Sequence, residues 1–316
     1  VQRVIYKLVI RGVKMNINEV AQVFIEKYGQ EERYTKDIES KLVSWLENTT
    51  LEEIKEILLH LFSEFIFFTK REIKEVMKSQ LVDVLGSYAL ESICIIPMIS
   101  KDGRANSSFD LTMLLKEVIK ENDIELYKDT IKVGLDQIDD DISTLIFFDD
   151  ISGTGGTIVT FLKENKSDLI GRKIIIRLIV ITETAEIMIN EYLDTQKELD
   201  VKVIAEYKYD KIFKDHKFLN DSHRILINNF EETIWGKGHQ NIMGFRDSQL
   251  LVGFSHNIPN NTISSFWYHT DFSGKKEEWN SLFKRYTQLN RKNKKQSRSN
   301  QNLSVKREGG GSKVGL

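Results

Sequence analysis

Thr144-Leu-Ile-Phe-Phe-Asp149-Asp150-Ile-Ser152-Gly153-Thr154-Gly155-Gly156-Thr157-Ile158 is the stretch that decides how the chain is read. A buried strand ends at Phe148, two carboxylates stand at its carboxyl end, and a loop of small residues opens a helix. Ligands of open α/β sheets bind at that edge. Glycines let backbone amides converge on an anion, and the helix N-terminus adds its dipole. The hydroxyls of Thr154 and Thr157 are further donors. Two carboxylates next to an anion site repel a bare phosphate, so the ligand must also present a diol or a divalent cation nearby.

Around this stretch, from Gly86 onward, short apolar runs alternate with amphipathic ones: Ile93–Ile96, Leu111–Ile119, Leu145–Phe148, Thr157–Leu162, Ile174–Ile181, Ala185–Leu193 and Val201–Ala205. Strands alternating with helices predict an α/β fold, with a parallel sheet carrying helices on both faces, over residues 85–285. Beyond Tyr209, Leu250–Phe254 reads as a strand and Ile263–Tyr268 as an aromatic-rich one. Residues 15–84 read instead as a helical subdomain without chemistry of its own. Thr50-Leu-Glu-Glu53 and Thr69-Lys-Arg-Glu72 are capping boxes. Leu51, Ile54, Leu58, Leu61, Phe62 and Phe65 follow the first at helical spacing, and Ile73, Val76 and Met77 follow the second. Val20, Val23 and Phe24, then Leu42, Trp45 and Leu46, predict two earlier helices.

Of the 316 residues, 41% are apolar and 29% charged, as in folded globular proteins. The net charge of −2 selects no partner. Cys94 is the sole cysteine, which excludes an intrachain disulfide and suits a reducing, cytoplasmic setting. The Cys/His spacings of a zinc site are absent. No apolar stretch approaches the ~20 residues that span a bilayer, so no membrane partner is expected. Val1 to Lys14 lacks the long apolar run of a signal peptide, Met15 reads as the natural start, and Gly309-Gly-Gly-Ser312 as an appended linker. Residues 286–316 carry Arg291, Lys292, Lys294, Lys295, Arg298, Lys306 and Arg307 among Asn, Gln and Ser. Such a basic tail is expected to be disordered, either merely solvated or touching nucleic acid.

Competing loop motifs fit the central stretch worse. A P-loop requires G-x-x-x-x-G-K-[ST], and no Lys follows these glycines. The dinucleotide fingerprint G-x-G-x-x-G fails at Ile158, and a D-x-D phosphatase needs an acid at Ile151. A ribose 5-phosphate does present a diol beside its phosphate. At these residues the chain resembles the type I phosphoribosyltransferases, whose motif for 5-phosphoribosyl 1-pyrophosphate has this form. The resemblance implies that Asp149 and Asp150 bind the ribose 2′ and 3′ hydroxyls, with Mg²⁺ nearby. It implies that Ser152, Gly153, Thr154, Gly155, Gly156 and Thr157 hold the 5′-phosphate. Purine-salvage members place an acid just before the Thr-Gly pair. Gly153 stands there instead, which argues against purine salvage.

The resemblance also implies a pyrophosphate cradle in the loop Pro97-Met-Ile-Ser100-Lys101-Asp-Gly103-Arg104, where Lys101 and Arg104 would neutralise the anion. A Lys-Asp-Gly-Arg surface turn without a ligand is the other reading of that loop. Trp267 invites a base-stacking role, against simple packing of the last strand. Glu183 follows the strand ending at Ile181 and shares the sheet edge of the phosphate loop. His239 and His256 are acid–base candidates or bystanders. Most of residues 15–286 further resemble phosphoribosyltransferase-like effectors of bacterial anti-phage loci, some encoded beside retron reverse transcriptases. That likeness is carried by Trp45-Leu46, Gly244-Phe-Arg-Asp-Ser-Gln-Leu-Leu-Val-Gly-Phe254, Pro259-Asn-Asn-Thr262 and Phe266-Trp267. It implies a defence role and a reverse transcriptase–nucleic acid complex as partner. The function expected is transfer or cleavage at ribose C1, with Mg²⁺ neutralising the pyrophosphate. The alternative is a non-catalytic sensor in which the same pocket switches a partner.

Overall fold

Helices α1 (Ile17–Tyr28), α2 (Ile38–Leu46) and α3 (Glu52–Ser63) lead into a short strand β1 (Ile66–Phe68) and the long helix α4 (Lys70–Ser87). The computed structural model describes residues 16–99, 107–127, 130–214, 216–269 and 279–285. Thr69 starts α4 with the predicted capping box. Its hydroxyl accepts the Glu72 N–H at 3.2 Å, and the Glu72 carboxylate accepts the Thr69 N–H at 3.0 Å. The box predicted at Thr50 does not form: α3 begins at Glu52, and Thr49 Oγ1 accepts the Leu51 N–H at 3.2 Å. Phe65, assigned to the helical stripe, lies beyond the end of α3, where the chain extends to become β1.

The next elements are β2 (Ile93–Ile95), α5 (Ser107–Glu121), β3 (Thr144–Ser152), α6 (Gly156–Glu164), α7 (Lys166–Leu169), β4 (Lys173–Thr182), α8 (Glu183–Asp194) and β5 (Asp200–Tyr209). The four strands lie side by side in chain order, all parallel, with Ile146 opposite Ile95 on one side and Ile175 on the other. This is the α/β architecture that the alternating pattern predicts. β4 is buried from Ile174 to Thr182, as a central strand covered on both faces must be. Ile146, Phe148 and Ile175 pack beneath residues of α4 and α5, while Leu145, Phe147 and Ile176 pack beneath α6 and α8. β5 is the edge strand, and its exposed Asp200, Lys202, Glu206 and Lys208 discourage pairing with a further strand.

Helix α9 (Asp221–Trp235), unforeseen in the sequence, and strand β6 (Val252–Phe254) complete the fold. β6 pairs in parallel with β1, Ile66 opposite Val252 and Phe68 opposite Phe254. Trp45, Phe62, Phe65 and Phe67 share one core cluster with Phe230, Phe266, Trp267 and Phe283. Trp45 Nε1 donates to Ser265 O at 2.8 Å, and Phe65 stacks on Phe266 at 5.3 Å. The leading helices, read above as a subdomain of residues 15–84, thus share their core with the C-terminal part of residues 85–285. Ile263–Tyr268 is not a strand: residues Ser264–Phe266 form a 3-10 turn whose aromatic side chains point into this core. Glu231 lies beneath the turn, fully buried, and accepts the N–H groups of Met243 and Ser265. Burial pushes its carboxyl up to about 7 from an ordinary 4.5, against the pull of those two donors.

Candidate functional site

β3 continues past Phe148 through both acids to Ser152, so Asp149 and Asp150 lie within the strand and not beyond it. They are 6% and 1% exposed, where an open strand end was expected. Three of the four carboxylate oxygens have a partner among the described residues. Asp149 Oδ1 accepts the Ser107 hydroxyl at 2.7 Å and the Asp150 N–H at 3.0 Å. Asp150 Oδ1 accepts the Ile151 N–H at 2.8 Å, and Oδ2 lies 3.0 Å from His256 Nε2. Ser108 fastens the edge from behind, donating to Phe148 O at 2.8 Å and accepting the Met98 N–H at 2.8 Å.

The two carboxyl groups are shifted in opposite directions from their ordinary acidity. Burial, and then the charge of Asp150, hold the Asp149 carboxyl well above its ordinary 3.8. Burial also works against ionised Asp150, but the His256 hydrogen bond and the Ile151 N–H outweigh it and bring Asp150 below 3.8. The two shifts run in opposite directions, so Asp149 holds a proton more readily than Asp150 does. Because Asp150 is ionised, His256 Nε2 is the donor; its other nitrogen, Nδ1, is buried without a hydrogen-bond partner. A cavity of about 380 Å³ opens beside this ring, lined by Glu32, Arg33, Lys70, Asp110, Leu111 and Ser255 among others.

The loop that follows meets the needs of an anion cradle. Gly155 adopts φ +75, which L side chains rarely do, and caps α6. The first bond of that helix runs from Val159 N–H to Gly155 O at 3.0 Å, so the amides of Gly156, Thr157 and Ile158 precede its ladder. The loop is braced from β4: Thr182 Oγ1 donates to Gly153 O at 2.8 Å and accepts the Ala185 N–H at 3.0 Å, capping α8 with the same hydroxyl. From the other side comes Asn261 of the Pro259-Asn-Asn-Thr262 run, whose carboxamide lies against Gly153.

The structure thus brings Asp149, Asp150 and residues 152–157 to one edge. Glu183 starts α8 at the same edge, with its carboxylate held 2.6 Å from Lys214 Nζ. Trp267 is fully buried in the helical core; its Nε1 donates to Thr262 O at 2.7 Å, and Arg285 lies over its ring at 4.8 Å. It therefore packs the core in this arrangement and does not front an open pocket. Ser100, Lys101, Gly103 and Arg104 lie outside the described residues, as does the tail of residues 286–316. Ser107, Ser108, Thr182 and Asn261 were not foreseen. A Ser pair just before the amphipathic run Leu111–Ile119 is a recognisable helix-start signal; Asn261 stood out only as part of the Pro259-Asn-Asn-Thr262 run, with nothing local to tie it to Gly153.

Residues 42–285 match the family described as PRTase-CE. The chain belongs to that family. Its members are phosphoribosyltransferase-like, in keeping with the motif at Asp149–Thr157. Among solved structures the PRTase-CE chain is similar to a Helicobacter pylori xanthine-guanine-hypoxanthine phosphoribosyltransferase, at 10% identity and TM-score 0.29, covering 46% of this chain and 88% of that one. It is also similar to an orotate phosphoribosyltransferase from Aeropyrum pernix, at 15% identity and TM-score 0.26, covering 42% of this chain and 69% of that one. No curated protein matches the chain. Among the described residues no helix is long and apolar enough to cross a membrane.

Proposed function

We propose that this PRTase-CE protein binds a 5-phosphoribosyl ligand, phosphoribosyl pyrophosphate or a nucleotide, and transfers or cleaves at ribose C1. The observation that carries the reading is a buried acid pair set directly before a glycine loop that opens α6. Asp149 hydrogen-bonds one ribose hydroxyl. Ionised Asp150 accepts from a ribose hydroxyl through the lone pairs that His256 and Ile151 leave free. The amides of residues 153–157 take the 5′-phosphate. When the bond from C1 to pyrophosphate breaks, the pyrophosphate leaves with the electron pair, and positive charge develops on the ring. The Asp150 carboxylate, fixed and desolvated, stabilises that charge before the nucleophile adds.

Mg²⁺ fits the donors present. Among the described residues no group of three or more His, Cys, Asp or Glu side chains is placed to hold a metal. Mg²⁺ at phosphate-transfer sites takes only one or two carboxylates, with ligand oxygens and water completing its shell. Asp149 and Asp150 stand directly before the loop and are the carboxylates that would hold it. When bound, the ion would neutralise the pyrophosphate charge.

Calorimetric titration of phosphoribosyl pyrophosphate, with and without Mg²⁺, into wild type and Asp149→Asn/Asp150→Asn tests the reading. Binding by wild type and its loss in the double variant are expected. No binding by wild type, or equal binding by both, refutes it. The sensor reading is favoured by one feature: Gly153 contributes no titratable group, and a neutral carboxamide stands beside it. Release of pyrophosphate from the bound compound separates enzyme from sensor. The defence setting, with a reverse transcriptase–nucleic acid partner, is carried by the resemblance of the Pro259–Thr262 segment. Co-purification of the full chain from its native locus, with and without residues 286–316, tests it. Residues 15–84 share the core and cannot be removed cleanly.

A further inference from the structure

We propose that Asn261 is a ligand-contacting residue of the phosphate loop, its carboxamide standing where a side chain at position 153 would stand. This rests on the phosphoribosyl reading above. A Cβ placed on Gly153 would lie 2.2 Å from Cγ and Nδ2 of Asn261 and 2.5 Å from its Oδ1. The amide group itself, and not its stem, therefore occupies the space over Gly153, three residues from Asp150 and one from Thr154.

The placement is firmly built. Asn261 O accepts the Leu250 N–H at 3.2 Å and the Ser248 hydroxyl at 2.8 Å, while Asn260 O accepts the Phe245 N–H at 2.7 Å. Gly244, at φ +82, lets the backbones meet, since a Cβ there would lie 2.3 Å from Asn261 O. Thr262 Oγ1 donates to Val252 O, and Trp267 Nε1 to Thr262 O. Asn261 O is thus held by two donors, yet the carboxamide makes no hydrogen bond to the described residues, in a residue only 8% exposed. Those unused polar atoms lie beside Gly153 of the loop that would hold the ligand. A neutral amide donates to phosphate or hydroxyl oxygen without adding another carboxylate beside Asp149 and Asp150.

The test titrates phosphoribosyl pyrophosphate, in Mg²⁺, into wild type, Asn261→Ala, Asn261→Asp and Gly153→Ala, with melting curves alongside. Loss of a hydrogen bond to a charged group predicts about 10- to 100-fold weaker binding for Asn261→Ala. Asn261→Asp, which keeps the shape but adds a charge, is expected to bind weaker still. Gly153→Ala displaces the carboxamide without altering residue 261 and is expected to match Asn261→Ala in binding. Its lowered melting temperature should recover in Gly153→Ala/Asn261→Gly while its affinity does not. A packing role predicts the opposite order, with the isosteric Asp binding like wild type, and that result overturns the assignment. Binding by wild type with all variants unchanged overturns the assignment alone; no binding by wild type overturns the phosphoribosyl reading with it.

Discussion

Gly155→Ala isolates what the loop geometry costs. Position 155 has φ +75, and an added Cβ would meet Ala185 O at 2.9 Å, Met188 Cβ at 3.1 Å and Ile189 Cγ1 at 3.3 Å. Two terms therefore add. The left-handed backbone costs an alanine about 1–2 kcal/mol, partly offset by about 0.4–1 kcal/mol from the stiffer unfolded chain. The contact with a backbone carbonyl cannot be relieved by a rotamer change, and overpacking of this kind costs about 1–3 kcal/mol. The expected loss is about 1–5 kcal/mol. Gly171, with φ +82 and nothing within 4 Å of an added Cβ, supplies the first term alone. Urea unfolding of wild type, Gly155→Ala and Gly171→Ala at one pH measures both. The difference between the two variants is the packing of the loop on α8. If Gly171→Ala is destabilised as much as Gly155→Ala, the close approach of loop and α8 is not as described.

Stability should fall with pH across the Glu231 titration. The folded carboxyl binds its proton more tightly than the unfolded one, so its contribution is complete below 4.5 and lost as pH rises through about 7. Urea midpoints from pH 5 to 8 are expected to decline less in Glu231→Gln than in wild type; parallel declines contradict the assignment. Cys94 is fully buried and burial pushes its thiol up to about 11, so iodoacetamide at pH 7.5 is expected to leave the native protein unlabelled and to label it fully in denaturant. Rapid native labelling would mean that the sheet opens readily. Trp45→Phe loses the indole bond to Ser265 O and leaves that buried carbonyl unpaired, for about 1–3 kcal/mol in the same unfolding assay. No change would show that water replaces the indole.

The α/β half of the fold was readable because its signals are local. Buried parallel strands announce themselves as continuous apolar runs, and a glycine loop directly after one names both the sheet edge and the helix start. β1 was not readable. Phe65-Ile-Phe-Phe68 continues a helical stripe, and only pairing with Val252–Phe254 makes it a strand. α9 was hidden by its own polarity. Ile227, Phe230, Glu231 and Ile234 form its buried stripe, and a glutamate in the middle of that pattern reads as solvent-facing. In the site, Asp149, Asp150 and the loop are contiguous, whereas His256 reaches Asp150 across 106 residues and Asn261 reaches Gly153 from still further on. Such contacts leave no periodic trace. Aromatic content likewise could not tell a pocket wall from a core, and Trp267 proved to be core.

The pairing of β1 with β6 has a consequence for how the protein is made. A ribosome that has released Phe68 must still synthesise everything up to Val252 before the partner strand exists, and on to Phe283 before the aromatic cluster can close. At roughly 5–20 residues per second that delay is roughly 10–40 s. Throughout it, Phe24, Trp45, Phe62 and Phe67 have no finished interior to enter, although the central sheet can already assemble. The nascent chain therefore carries its most aggregation-prone segment first and shelters it last, which makes the emerging N-terminal helices a natural client for chaperones that hold apolar chain at the tunnel exit.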